Sequence, residues 1–244
     1  MAVAAGIGVR YRGDDDGLVS ASLDRVDPTA VLAGGPVRRF RSFKGQRHYS
    51  GWYWSATMAR HLVYESLLEL SRLMLADFDP TVVGIAAQPF QWSGPDGERV
   101  RVHVPDLLLV QADGAVTVVD VKPPGLIEDP RVVAQFGWTR QVAAARGWGF
   151  EAWSGAPEVL LGNVRFLAGY RRAALIDRDM LADVGRAVRG PVGLGVLERR
   201  LARSQPVGRV RPAVLHALWR GDLRADLDRP LGKASVVMST GEVG

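Results

Sequence analysis

Two short apolar runs, Leu107 to Val110 and Val116 to Val119, constrain this chain more than any other feature. A strand with one wet face alternates apolar and polar residues, whereas these runs are apolar on both faces and read as neighbouring strands at the centre of a sheet covered by helices. Strands flanked by helical stretches argue for an α/β layer fold. Acids nevertheless stand at the open end of this pair, as Pro105-Asp106 before the first run and Asp120-Val121-Lys122 after the second. A carboxylate buried there is costly unless a cation or a hydrogen-bond donor neutralises it. The turn decides how the acids meet. A two-residue loop at Asp113-Gly114 would pair Ala112 with Ala115 and throw the aspartates onto opposite faces. A three-residue loop of Ala112, Asp113 and Gly114, with Gly114 left-handed, pairs Gln111 with Ala115, and it sets Asp106 across from Asp120 with Lys122 on their face. Only the second arrangement can bind anything, and it is the one expected.

Side-by-side carboxylates repel and trap a proton unless a divalent cation lies between them. The sequence has no cysteine, and its four histidines (His48, His61, His103, His216) are scattered, so a cation must rest on oxygen ligands. That favours Mg²⁺, with Mn²⁺ able to substitute. Lys122 is one of only three lysines among 31 basic residues, which suggests a position that needs a compact ammonium. Beside two acids it can orient or deprotonate a water and offset charge on a phosphate, as metal-assisted phosphodiester hydrolysis requires. The plainer alternative is a buried Asp-Lys ion pair without catalysis.

Elsewhere the sequence divides by texture. Residues 1–37 are rich in Gly, Asp and Ala and read as an arm with one strand at Val3 to Tyr11. From Arg38 to Trp54 basic and aromatic residues interleave, and Arg41, Lys44 and Arg47 are candidate phosphate contacts. A loop pinned by its aromatics is the other reading of that run. Ser55 to Ala76 carries Ala59, Leu62, Val63, Ser66, Leu70, Leu73 and Met74 at helical spacing, which predicts one helix with Glu65 and Glu69 a turn apart outside the apolar stripe. Strands are expected within Val82 to Trp92, Val100 to Val110 and Ala115 to Lys122, then a helix over Arg131 to Arg146 and a strand over Gly147 to Ser154. Beyond residue 171, helices are expected at Asp177 to Val188, Leu194 to Arg203 and Pro212 to Arg220, with a hairpin of Asp222 to Leu227 and Ser235 to Met238. That is the outline of a winged helix. Residues 171–234 hold 14 basic and 7 acidic side chains, so the net charge of +5 is a C-terminal property. Arg209 and Arg211, beside the third of these helices, are candidate DNA contacts. With 47% hydrophobic and 23% charged residues the chain has the composition of a folded protein, and disorder is excluded. No apolar stretch reaches the length of a membrane span, and a cytoplasmic location is expected.

Glu65, Pro105-Asp106 and Asp120-Val121-Lys122, in that order, resemble the active-site signature of the PD-(D/E)xK nuclease superfamily. FRSF, YESLLEL, DFDPTVVGIAAQPF, HVPDLLLV, VVDVKPPG and NVRFLAGYRR more specifically resemble the catalytic domain of TnsA-type proteins, the endonuclease subunits of heteromeric transposases. The likeness covers about residues 38 to 172, and the order of parts extends it to the winged-helix-like end. It implies a restriction-endonuclease-like mixed sheet flanked by helices over 38–170, a winged-helix-like domain over 171–238 and a tail over 239–244. It further implies Glu65, Asp106, Asp120 and Lys122 as the active site, with the three acids binding Mg²⁺. Its implied partners are double-stranded DNA, a DDE-type transposase subunit and an ATPase regulator of transposition. The family's best-known member has Gln where Asp120 stands, which leaves the number of metals open. Gln135 lies where some related nucleases place an auxiliary polar residue, and Glu69 reads as a surface or ion-pair residue. Two other readings stand beside this one: a free-standing restriction or repair nuclease, and a non-catalytic winged-helix DNA-binding protein.

Overall fold

The computed structural model describes residues 6–38 and 49–241, in which strands and helices divide into two units between Gly155 and Ala156. In the first unit, β1 (Gly8–Arg12), β2 (Leu18–Ser22) and α1 (Pro28–Ala33) precede the hairpin β3 (Gly51–Ser55) and β4 (Arg60–Tyr64). There follow α2 (Leu67–Phe78), β5 (Val82–Ala87), β6 (Phe90–Asp96), β7 (Arg99–His103), β8 (Leu107–Gln111), β9 (Val116–Val121), α3 (Pro130–Ala145) and β10 (Gly149–Trp153). One sheet runs β2-β1-β6-β7 and another runs β10-β9-β8-β5, the latter mixed because only β9 and β10 are parallel.

The central pair expected from the two apolar runs is β8 and β9, with Leu108, Val118 and Val119 fully buried. Helices cover both faces. On the Val118 face, Trp138, Val142 and Ala143 of α3 join Leu108 and the inner residues of β1 and β6 in one core, where Phe90 stacks on Trp92 at 4.8 Å and Trp92 lies 6.5 Å from both Trp138 and Trp148. On the opposite face, Arg72 of α2 grips Glu151 of β10 with two hydrogen bonds of 3.0 and 2.7 Å, Glu151 being the register partner of Val119.

The helix predicted over 55–76 begins only at Leu67. Its first half is the β3–β4 hairpin, and the reason is a distant acid. Buried Asp77 accepts from Tyr53 Oη (2.8 Å), Ser55 Oγ (2.6 Å), Ala56 N (2.9 Å) and Thr57 N (2.8 Å), which fixes the turn. The strand expected at Val3 to Tyr11 is Gly8–Arg12, and it is no loose arm: it pairs with β2 on one side and β6 on the other.

The second unit holds α4 (Glu158–Leu167), α5 (Arg178–Ala187), β11 (Val192–Gly193), α6 (Leu194–Leu201), α7 (Val207–Trp219), β12 (Leu223–Ala225) and β13 (Val236–Ser239). Its sheet order is β11-β13-β12. The division after Gly155, rather than after residue 170, follows from α4. Its Asn163 donates to Leu227 O and Arg229 O, both at 2.8 Å, and accepts from Leu231 N at 2.9 Å, tying the β12–β13 connection to that helix. Pro212 does not open the third helix but sits inside α7, where the carbonyl that lost its donor belongs to exposed Gly208 and can be hydrated. Among the described residues no helix is long and apolar enough to cross a membrane.

Candidate active site

The β8–β9 turn follows the three-residue reading. Gln111 N donates to Ala115 O (2.8 Å), Asp113 Oδ1 accepts from Ala115 N (2.9 Å), and Gly114 has φ +86°. The register then runs from Val110 opposite Val116 to Leu107 opposite Val119, which leaves Asp106 and Asp120 at the open end of the pair, but their carboxylates do not form the shared site expected of them: that of Asp120 turns to His103 and that of Asp106 to the Val121 N–H. Lys122 N donates to Trp153 O (2.9 Å), so the lysine's main chain is clasped by β10.

Asp106 is held from three sides. Its N donates to Val119 O (3.1 Å), its O accepts from Gln88 N (2.8 Å), and its Oδ2 accepts from Val121 N (2.6 Å). Burial pushes its carboxyl up to about 7; Glu69 and Asp120 push the same way, and Lys122 and the Val121 N–H oppose them. A carboxyl in that state lacks positive charge around it. Among the described residues Lys122 is the side-chain cation that acts on it, and the Lys122 Nζ also donates to Val121 O at 3.3 Å.

The helix acid facing this cluster is Glu69. Ser66 caps α2 by accepting from Glu69 N (3.1 Å), and Glu69 reaches back, its Oε2 accepting from Glu65 N (2.8 Å) and its Oε1 from Ser66 Oγ (3.0 Å). That reciprocal cap turns Glu69 inward, where burial raises its pKa and the Glu65 N–H, the Ser66 hydroxyl and, least, Lys122 partly offset the rise. Glu65 lies in the bend before α2 rather than on the helix, and it supplies a main-chain donor to Glu69. The sequence reading placed these two acids the other way round, although Ser66-x-x-Glu69 is the pattern of a capping box.

Asp120 has a different partner. Fully buried on β9, it presents both carboxylate oxygens to His103 Nε2, each at 2.9 Å. Gln135 on α3 donates to His103 Nδ1 at 3.0 Å, which leaves the Nε2 proton for Asp120. Gln135 thus reaches the cluster through His103, which sequence reasoning set aside. Gln88 was also unmarked. It is buried, adopts a left-handed backbone at φ +45°, and its Oε1 has no hydrogen-bond partner among the described residues.

Asp106 and Glu69 suit a hard divalent cation, being oxygen donors short of positive charge. Among the described residues, however, no three His, Asp or Glu side chains gather closely enough to hold one by themselves. Mg²⁺ commonly rests on one or two carboxylates and completes its shell with water and phosphate, and a two-carboxylate site agrees with that habit.

Arg41, Lys44 and Arg47 lie outside the described residues. In the second unit Arg209 pairs with Asp177, and Arg211 pairs with Glu198 at 2.7 Å while its guanidinium lies 6.0 Å from the centre of the Phe166 ring. Residues 213–219 of α7 are buried, so that helix is a core element. No protein-family model matches the sequence, and no curated protein matches it either.

Proposed function

We propose that this chain is a metal-dependent DNA endonuclease of the PD-(D/E)xK type that cuts at the 5′ ends of a mobile element as one subunit of a heteromeric transposase. The observation that carries the reading is the Asp106 carboxyl. It is half-buried at the open end of a central hairpin, raised to about 7, flanked by the Glu69 carboxyl and answered by Lys122. A carboxyl perturbed in this way, with a second acid and an ammonium acting on it, is a common mark of a functional site. Asp106 and Glu69 would hold Mg²⁺ or Mn²⁺, which supplies a water of lowered pKa and offsets charge on the phosphate. Lys122, with its ammonium beside Asp106, is positioned to orient that water and to balance the pentavalent phosphorus.

The first unit's mixed sheet with a helix on each face supports a restriction-endonuclease-like fold. The order α5, β11, α6, α7, β12, β13 supports a winged-helix-like second unit. With α7 in the core and Arg209 and Arg211 already paired, hold on double-stranded DNA falls to the exposed Arg199, Arg200 and Arg203 of α6 and its exit. The remaining surface of this unit serves to dock the DDE-type transposase or its ATPase regulator.

The test is cleavage of supercoiled plasmid bearing element ends, with Mg²⁺ or Mn²⁺, in the presence and absence of the transposase encoded by the neighbouring reading frame. Metal-dependent nicking of the 5′-ending strand that needs the partner and is lost in Asp106→Ala supports the proposal. Specific double-strand cleavage by the protein alone would favour a free-standing nuclease. No cleavage under any of these conditions would reject the enzyme.

A further inference from the structure

His103 Nε2 is equidistant from the two oxygens of Asp120, at 2.9 Å from each. It therefore stands on the bisector of the carboxylate, where a cation bound through both oxygens would have to sit. Asp120 is completely buried and His103 nearly so, and among the described residues no other side chain hydrogen-bonds to Asp120. The ring is fixed in turn, because Gln135 Nε2 lies 3.0 Å from Nδ1. The three residues come from three places: Asp120 from β9 in the mixed sheet, His103 from β7 at the edge of the other sheet, and Gln135 from α3. Together they bolt two sheets and a helix at one point. Asp106, one strand away, looks elsewhere, toward the Val121 N–H, Lys122 and Glu69.

We infer that Asp120 is not a cation ligand in this chain but the anionic end of a structural relay, Gln135 to His103 to Asp120, and that the cation is carried by Asp106 and Glu69. This rests on the nuclease reading above. It assigns His103 and Gln135 as positioning residues: by satisfying Asp120 they hold the end of β9, and with it the Val121 N–H that orients Asp106 and the main chain that presents Lys122. A buried carboxylate can be replaced by its amide at little cost if its role is to accept one hydrogen bond, whereas a ligand loses its metal when it loses its charge.

Mn²⁺ binding to the full chain without DNA, measured by isothermal titration calorimetry, separates the cases. Asp106→Asn and Glu69→Gln should each weaken binding about tenfold or more, while Asp120→Asn should stay within about threefold of wild type, because the amide oxygen still accepts from His103. His103→Gln, which keeps an N–H donor, should preserve the melting temperature and Mn²⁺ affinity; His103→Leu should lower the melting temperature by leaving Asp120 unpaired, and Gln135→Leu should do so to a smaller degree. Should Asp120→Asn fold poorly, the double replacement Asp120→Leu with His103→Leu removes the pair and its charge together and should still bind Mn²⁺. If Asp120→Asn or the double replacement loses Mn²⁺ as fully as Asp106→Asn, the inference is overturned while the nuclease reading survives. A wild-type protein with no saturable Mn²⁺ binding, or binding indifferent to Asp106 and Glu69, overturns both.

Discussion

Replacing Asp106 by asparagine should make the first unit more stable at pH 8, and on the proposed function it should also abolish divalent-cation binding. The carboxyl ordinarily ionises at 3.8 and is pushed up to about 7 in the folded chain, chiefly by burial. A group raised in this way stabilises the fold below its unfolded pKa, and that contribution is lost as pH rises through the folded value. Between about pH 4 and about pH 7 the unfolded chain gives up the proton and the folded one keeps it, so the metal-free wild type should weaken steadily across that window. A tenfold change in proton affinity is worth about 1.4 kcal/mol, so the rise from 3.8 to about 7 sets a ceiling of about 4 kcal/mol; water reaching a residue that is not fully buried brings the expectation to about 2 kcal/mol. The asparagine amide oxygen would still accept from Val121 N–H without carrying the charge. Urea unfolding followed by tryptophan fluorescence reports this unit well, since six of the seven tryptophans (Trp52, Trp54, Trp92, Trp138, Trp148 and Trp153) lie in it. In EDTA, wild type and Asp106→Asn should be close at pH 4 and diverge by pH 8 in favour of the variant. Mg²⁺ should then rescue the wild type increasingly as pH rises and leave the variant unmoved. Parallel pH curves, or a variant weaker than wild type at pH 8, would refute the electrostatic account of this site.

Three further outcomes follow from the geometry. Lys122→Ala should leave Mn²⁺ affinity within about threefold of wild type yet slow single-turnover cleavage about 100-fold or more, and equal losses in both would reject its role in the chemical step. Asp77→Ala strands two hydroxyls and two main-chain N–H groups and should cost about 3 kcal/mol or more in urea unfolding, unlike the exposed Asp113→Ala control. Exchanging Arg199 and Arg203 for serine should flatten the salt dependence of DNA binding in filter or anisotropy assays, whereas Arg209→Gln with Arg211→Gln should leave that slope in place, because those two already face Asp177 and Glu198.

The β8–β9 register was open to deduction because a single glycine able to adopt positive φ, Gly114, leaves few ways to close the turn, and each way puts different residues opposite one another. The helix expected over 131–146 lies at 130–145, where Pro130 at its first position and the Asp129 cap mark its start. The β3–β4 hairpin was hidden for two reasons. Leu62, Val63, Ser66 and Leu70 fall at helical spacing by coincidence, and the turn before Arg60 uses Ala59 at φ +49° in place of a glycine. What enforces it is Asp77, an interaction across the whole of α2 that no local pattern announces. With the helix starting at Leu67, Glu69 and not Glu65 is the acid that α2 carries. His103 was beyond reach for another reason: it meets Asp120 only because strands of two separate sheets converge there, and convergence is a property of topology.

One consequence of the parallel β9–β10 pair concerns the order in which the molecule is made. Parallel neighbours need a crossover, here α3, so β10 is the last strand of its unit to leave the ribosome. Until it arrives, β9 is an open edge and Lys122 N has no Trp153 carbonyl to hold it. A nascent or truncated chain therefore carries every acid of the cluster without the clasp on its lysine. The full geometry of the cluster is withheld until translation has passed the whole of the first unit.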